Sequence, residues 1–226
     1  MSDWTRPPAG LPTTEFFESW LPAAFLATGR HAPSNAPVVR ASLSGDGGGA
    51  WDIHCDDDRL IVEAAPPDGR RSQPPGNAQL PGNAQLPGNA QLPDVWLRQS
   101  VTDFRAAFDG DPHLPALIPP GWSALDLLFL DPRDTELLAQ VSGRVLVEVL
   151  GRRARRWSFD VAFGKGGVTA GRARTTIRLD GGTFEGLQNG SIPPMQALLG
   201  GRLALEGDRA LAMQLLLLFG SRLARQ

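Results

Sequence analysis

Apolar and polar residues alternate along several short stretches of the chain. From Trp157 to Phe163, large apolar residues occupy every second position and Ser158, Asp160 and Ala162 lie between them. This period of two is typical of a strand with one buried face. The pattern, with β-branched enrichment and Gly- or Asp-rich turns, predicts the strands Val38–Leu43, Trp51–Cys55, Leu60–Ala64, Arg144–Leu150, Arg156–Phe163 and Arg174–Leu179, and a short return strand from Val168.

Two stretches have helical character. Glu15–Leu26 predicts a short helix near the start of the chain, and Arg209–Phe219 predicts one near the end, with Asp208 as its N-cap and Gly220 as its stop. The second helix is apolar on almost every side, whereas a surface helix has only an apolar stripe. It must therefore be covered, either as an ordinary core helix or as the wall of a ligand cavity.

The hexapeptide PGNAQL occurs three times in succession between Pro75 and Leu92. Repeats of Pro, Gly, Asn and Gln have no apolar face to bury, so the sequence predicts a disordered insert over residues 66–94. The insert is either a docking tract or a repeat expansion tolerated in a surface loop.

The two halves of the remaining chain resemble each other weakly. Trp51, Ile53 and Cys55 have the spacing of Trp157, Phe159 and Val161, and each half also has a Phe followed six residues later by Gly. We therefore predict a degenerate first half at 1–130 and a second half at 131–226, possessing the same α+β organisation. Chance alignment of two α+β sequences is the alternative.

Composition excludes several classes of protein. The chain has 226 residues, 42% of them hydrophobic, and a formal net charge of -2, which gives no indication of nucleic-acid binding. No apolar run reaches membrane-spanning length, and the first residues do not look like a signal peptide, so we expect a cytoplasmic protein. A lone Cys55 offers neither a disulfide nor a metal site. The sequence has no recognisable catalytic, metal or cofactor motif, which predicts a protein that is not an enzyme.

Four motifs follow one another near the end of the chain. They are Thr176-Ile-Arg-Leu, Phe184-Glu-Gly-Leu187-Gln-Asn-Gly190, Pro194-Met-Gln-Ala197-Leu-Leu-Gly-Gly201-Arg-Leu203, and Leu205-Glu-Gly207-Asp208 leading into the last helix. In order and spacing they resemble the sterol carrier protein type 2 family. Leu198 stands where that family often has Phe, Arg202 where it usually has Lys, and the first half lacks the third motif.

The resemblance implies an α+β fold in which a mixed or antiparallel sheet is covered by helices and encloses an apolar tunnel. It implies the binding or transfer of a fatty acyl, sterol or isoprenoid-like lipid, without a cofactor. The predicted tunnel lining consists of Phe159, Phe184, Leu187, Met195, Leu198, Leu199, Leu203, Leu205, Met213, Leu216 and Leu217. The alternative is a non-catalytic accessory subunit that docks a partner through its last helix.

A cluster of arginines precedes the Trp157 strand, at Arg152, Arg153, Arg155 and Arg156. These side chains could make transient contact with anionic headgroups at a membrane surface. The alternative is a solvated turn between two strands.

Overall fold

The computed structural model of this protein describes residues 6–29, 36–56, 59–66, 93–117, 132–164 and 175–215. The three PGNAQL repeats, the return strand predicted at Val168 and the end of the last helix lie outside these residues.

The described residues form short strands and short helices. The strands are β1 (Val39–Ser44), β2 (Gly49–Asp56), β3 (Arg59–Ala64), β4 (Val95–Ser100), β5 (Gly143–Leu150), β6 (Arg156–Phe163), β7 (Thr175–Asp180) and β8 (Leu203–Gly207). The helices are α1 (Thr13–Glu15), α2 (Leu21–Ala27), α3 (Val101–Asp109), α4 (Pro132–Leu138), α5 (Gly181–Gln188) and α6 (Pro194–Leu199). A π-helical turn, Phe16–Trp20, joins α1 to α2, and residues 209–215 are also helical.

All eight strands form one sheet in the order β3-β2-β1-β4-β6-β5-β7-β8. The β1/β4 and β5/β7 pairs are parallel and the other pairs are antiparallel, so the sheet is mixed. With helices between and after the strands, the predicted α+β class is confirmed.

The two halves repeat one pattern of pairing. In each, the first strand pairs antiparallel with the second and parallel with a later strand, after which a helix begins: β1, β2, β4 and α3, then β5, β6, β7 and α5. The weak sequence repeat aligns these same elements, since Trp51 lies in β2 and Trp157 in β6. The duplication and the boundary between residues 130 and 131 stay predictions.

The halves meet where β4 pairs with β6. The register runs from Val95 opposite Phe163 to Arg98 opposite Asp160. Hydrogen bonds therefore continue from the first half into the second without a break in the sheet.

Side chains from the two faces of the sheet have different surroundings. One face carries most of the buried apolar residues of the strands and packs against the helices. The other face carries ion pairs between neighbouring strands: Arg40 with Asp52, Arg98 and Arg144 with Asp160, and Arg178 with Glu148 and Glu206. Because strand side chains alternate between the two faces, these ion pairs lie on the face opposite the helices. An apolar ligand could therefore be buried on the helix-covered face.

Two helices that the hydrophobic pattern left unpredicted begin at well-formed caps. The Ser100 hydroxyl accepts from the Asp103 N–H at 3.0 Å at the start of α3, and the Asp180 carboxylate accepts from the Thr183 N–H at 2.9 Å at the start of α5. That bond from Thr183 lowers the pKa of Asp180.

Candidate functional site

The second half packs an apolar layer between its strands and its helices. The buried members of this layer come from β5, β6, β7 and β8 on one side and from α3, α4, α6 and the helical residues 209–215 on the other. They include Val145, Val149, Trp157, Ile177, Leu179, Leu203, Leu138, Ala197, Leu211 and Leu215. We call this set the C-terminal apolar layer.

Several large apolar side chains pack against the C-terminal apolar layer without being buried. Two of them are aromatic: the Phe159 ring lies 5.1 Å from the Trp157 ring and the Phe184 ring 5.9 Å from it, measured between centroids. Leu187, Leu198 and Leu205 belong to the same half-buried group. Because these side chains are only partly covered by protein, further apolar contact there would be favourable.

The residues predicted to line a tunnel differ in how far they are buried. Leu203 is buried, and Phe159, Phe184, Leu187, Leu198, Leu205 and Met213 are half-buried. The structure does not place Met195 and Leu199 in the interior, because they are 42% and 82% exposed on α6. Leu216 and Leu217 lie outside the described residues. The lining as a whole stays a prediction.

The last helix begins as its sequence predicts. The Asp208 carboxylate accepts from the N–H groups of Ala210 and Leu211, at 3.0 and 3.2 Å. Leu211 and Leu215 are buried in the C-terminal apolar layer, whereas Gln214 is exposed. One side of the described helical turns therefore faces the interior, as expected of a helix that is covered.

Trp157 is held by a group that the sequence did not indicate. Its indole N–H donates to the backbone carbonyl of Asp103 at 2.8 Å. The Asp103 carboxylate is buried, lies 2.8 Å from Arg155 Nη1, and accepts from the backbone N–H of Ser158 at 3.2 Å. Asp103, in the first half, thus positions Trp157 in the C-terminal apolar layer of the second half. No local feature of the sequence indicates this contact.

Some side chains of the arginine cluster form ion pairs within the protein, and others are exposed to solvent. Arg155 pairs with Asp103 and, through Nε at 2.9 Å, with Asp111, while Arg156 pairs with Glu148. Burial acts against the charge of Arg155, but its bonds to Asp111 and Asp103 raise its pKa overall. The side chains of Arg152 and Arg153 are exposed. Arg155 is therefore a structural anchor, and only part of the cluster is available to anions.

A groove of about 280 Å³ lies beside α6. Its walls are Ser191, Ile192, Gln196, Gly200 and Arg202, so they supply a hydroxyl, an amide and a guanidinium next to one apolar side chain. Polar groups of this kind suit the hydrated end of an amphipathic molecule rather than its chain.

The first half is filled by its own aromatic rings. The Phe16 ring lies 5.0 Å from Trp20 and 5.1 Å from Phe104, and the Phe17 ring stacks on Trp51 at 4.4 Å. Such ring pairs are well packed and contribute beyond their buried area. The described part of the first half therefore offers a closed core, and the candidate ligand site is the C-terminal apolar layer.

His54 and Cys55 are adjacent residues of the types that can supply a base and a nucleophile, so they matter for the prediction that the protein is not an enzyme. They are neighbours on β2, so their side chains leave opposite faces of the sheet and cannot form a nucleophile and base pair. Burial raises the pKa of the Cys55 thiol to about 11, which keeps it protonated and unreactive at neutral pH.

These features define a class of protein: an α+β domain with an apolar layer between one face of a mixed sheet and a set of short helices. Residues 124–220 match the model of the SCP-2 sterol transfer family. This match confirms the resemblance that the four motifs carry.

Several known proteins are similar to parts of this chain. Hydroxysteroid dehydrogenase-like protein 2 of Xenopus tropicalis is 32% identical over 79 residues, which are 33% of this chain and 19% of that protein. The chain thus spans about a fifth of the length of that relative. The sterol carrier protein domain 2 of Helicoverpa armigera is 24% identical, with a TM-score of 0.35, over 46% of this chain and 82% of that one. Sterol carrier protein 2 of Yarrowia lipolytica, in its apo form, is 18% identical, with a TM-score of 0.28, over 40% and 80%.

Within the residues that the structure describes, every helix is too short or too polar to cross a bilayer.

Proposed function

We propose that the domain over residues 124–220 binds an apolar lipid in a tunnel between its sheet and its helices, and carries that lipid in the cytoplasm. The observation that supports this most strongly is the set of half-buried apolar side chains packed against the C-terminal apolar layer, in a domain that matches the SCP-2 sterol transfer family. A fatty acyl, sterol or isoprenoid-like ligand would complete their burial.

The free energy available from such burial is sufficient for useful affinity. Each buried methylene contributes about 0.8 kcal/mol, so an acyl chain of about sixteen carbons gains on the order of 10 kcal/mol before the costs of ordering and association. Micromolar binding requires only part of this gain. Because Phe159, Phe184 and Leu205 offer no polar group, we expect selectivity by length and shape rather than by hydrogen bonding.

We also propose that the domain is a carrier and not an enzyme. The side chains assigned to the lining are all apolar, and they provide neither a nucleophile nor an acid or base for a bound lipid. The other candidate function is an accessory subunit that docks a partner through the last helix, whose Leu211 and Leu215 are already covered within the chain.

A displacement assay with a fluorescent fatty acid tests the proposal. Met213→Glu and Phe184→Glu each place a carboxylate beside the C-terminal apolar layer, which costs several kcal/mol unless the group reaches water or takes up a proton. We expect both variants to lose binding by more than about tenfold. Leu150→Glu is the matched control, because Leu150 is 43% exposed at the end of β5 and should tolerate the charge.

Circular dichroism establishes that each variant is folded before its affinity is compared. Folded Glu variants that bind like the wild type would place the ligand elsewhere. A wild type that binds no fatty acid, and that carries no lipid in native mass spectrometry when purified from its host, would favour the docking subunit instead.

A further inference from the structure

Helix α6 presents two large apolar side chains to solvent. Met195 and Leu199 are four residues apart and therefore share one side of the helix. They are 42% and 82% exposed, and Leu199 is the most exposed large apolar residue among those described. Most single exposed apolar residues need no explanation, but two adjacent ones on a helix of a lipid-binding family form a patch.

The opposite side of α6 reaches the proposed ligand site. Ala197 is fully buried in the C-terminal apolar layer, and Leu198 packs against that layer. Within the described residues, α6 thus separates the exposed pair from part of the apolar interior. A lipid leaving or entering beside α6 would pass from one apolar surface to another.

The charges around the patch favour an anionic surface. Arg202 is exposed directly after α6 and lines the groove of about 280 Å³ together with Ser191 and Gln196. The sequence contains no Asp or Glu between Glu185 and Glu206. The exposed apolar pair is therefore flanked by a cation, with no carboxylate in the surrounding segment to repel phosphate groups.

We propose that α6 is the surface with which this protein docks on an anionic phospholipid bilayer. Met195 and Leu199 enter the boundary between headgroups and acyl chains, Arg202 contacts lipid phosphates, and the groove beside α6 receives a headgroup while the apolar chain passes beside the helix. The docking role rests on the proposed function only for the identity of the cargo.

A bilayer fits this patch better than a protein partner does. A stable protein interface buries about 800 Å² on each partner, far more than two side chains and one small groove supply. A reversible interfacial contact requires less, since apolar residues on one side of a short helix and a neighbouring cation both contribute to partitioning.

Vesicle sedimentation with single-residue variants tests the docking surface. Vesicles of equal parts phosphatidylcholine and phosphatidylglycerol should bind the wild type more strongly than phosphatidylcholine alone. We expect Leu199→Asp to weaken binding to the anionic vesicles about tenfold or more. Arg202→Gln should weaken it about fivefold, and only on anionic vesicles.

Matched controls separate this surface from general effects of charge and hydrophobicity. Leu26→Asp changes another exposed leucine, which is 69% exposed on α2, and Arg59→Gln changes an exposed arginine at the start of β3. Both should bind vesicles like the wild type. Equal losses in the controls, wild-type binding by Leu199→Asp, or equal binding of the wild type to both kinds of vesicle would overturn the proposal.

Two further measurements keep the outcome unambiguous. If Leu199→Asp fails to fold by circular dichroism, Arg202→Gln carries the test, because Arg202 is exposed. A wild-type dimer that Leu199→Asp dissociates in analytical ultracentrifugation would identify the patch as an interface between copies and overturn the proposal. Fatty-acid displacement by the wild type is measured in parallel without vesicles. Loss of displacement in the wild type itself would refute the proposed function, while the vesicle series would still decide the docking role.

Discussion

Removing the Asp103 carboxylate should cost more stability than most single substitutions in this protein. The carboxylate pairs with Arg155 and accepts from Ser158, and the two charged side chains are only 10% and 22% exposed. Asp103→Ala leaves a largely buried guanidinium short of one of its two carboxylates and a backbone N–H without its acceptor. Breaking a buried pair in this way costs about 3–5 kcal/mol. This is a large part of the roughly 5–15 kcal/mol by which a domain is stable.

A double-mutant cycle isolates the pair from the rest of the network. We expect Asp103→Ala and Arg155→Met to couple by about 1–3 kcal/mol in urea unfolding, since the two residues are in direct contact. The exposed pair Arg178 and Glu206, with side chains 39% and 63% exposed, is the control and should couple by less than about 1 kcal/mol. Equal coupling in the two pairs would refute the reasoning that burial makes the Asp103 pair important.

Lowering the pH should remove part of the stability that the same network contributes. The bond from Arg155 holds the pKa of Asp111 below its usual value, with a smaller contribution from the His113 backbone N–H. A lowered folded-state pKa contributes stability that is complete above the unfolded pKa, about 3.9, and is lost as the pH falls through the folded value. Arg155→Met should therefore flatten the acid limb of the stability curve. An acid limb as steep in the variant as in the wild type would contradict this assignment.

Three other predictions follow from separate parts of the chain. Arg153 and Ala154 have φ values of 53° and 59° in the turn before β6. Arg153→Gly and Ala154→Gly should therefore each raise the free energy of unfolding by about 1 kcal/mol in urea titrations. Unchanged values would show that the turn is unstrained. Cys55 is half-buried and its raised pKa keeps the thiol protonated, so it should react with a thiol reagent at neutral pH more slowly than a free cysteine, and labelling as fast as that of free cysteine would contradict the raised pKa. Deleting Pro75–Leu92 should leave the melting temperature and lipid binding nearly unchanged, and a loss of several degrees would show that the repeats pack against the protein.

Local patterns in the sequence determined much of the second half. The alternation from Trp157 to Phe163 predicted β6 and its buried face, because strand side chains alternate between the two sides of a sheet. Asp208 predicted the start of the last helix, since a capping carboxylate acts on N–H groups only two and three residues away. The motifs from Thr176 onward predicted the family. Each of these signals acts within a few residues of the chain, which is why it can be read without the fold.

Tertiary structure decided the features that depend on distant segments. The place of β4 between β1 and β6 is set by which strands find each other, and Val95–Ser100 carries no mark of its two partners. Arg155 belonged to an apparently solvated cluster, yet it reaches Asp103, which lies 52 positions earlier in the sequence. Leu198 and Leu199 are adjacent and chemically identical, but one packs against the interior and the other is exposed, because only one side of α6 meets the sheet. Composition fixes that such residues are apolar, whereas their burial depends on what the completed fold packs against them.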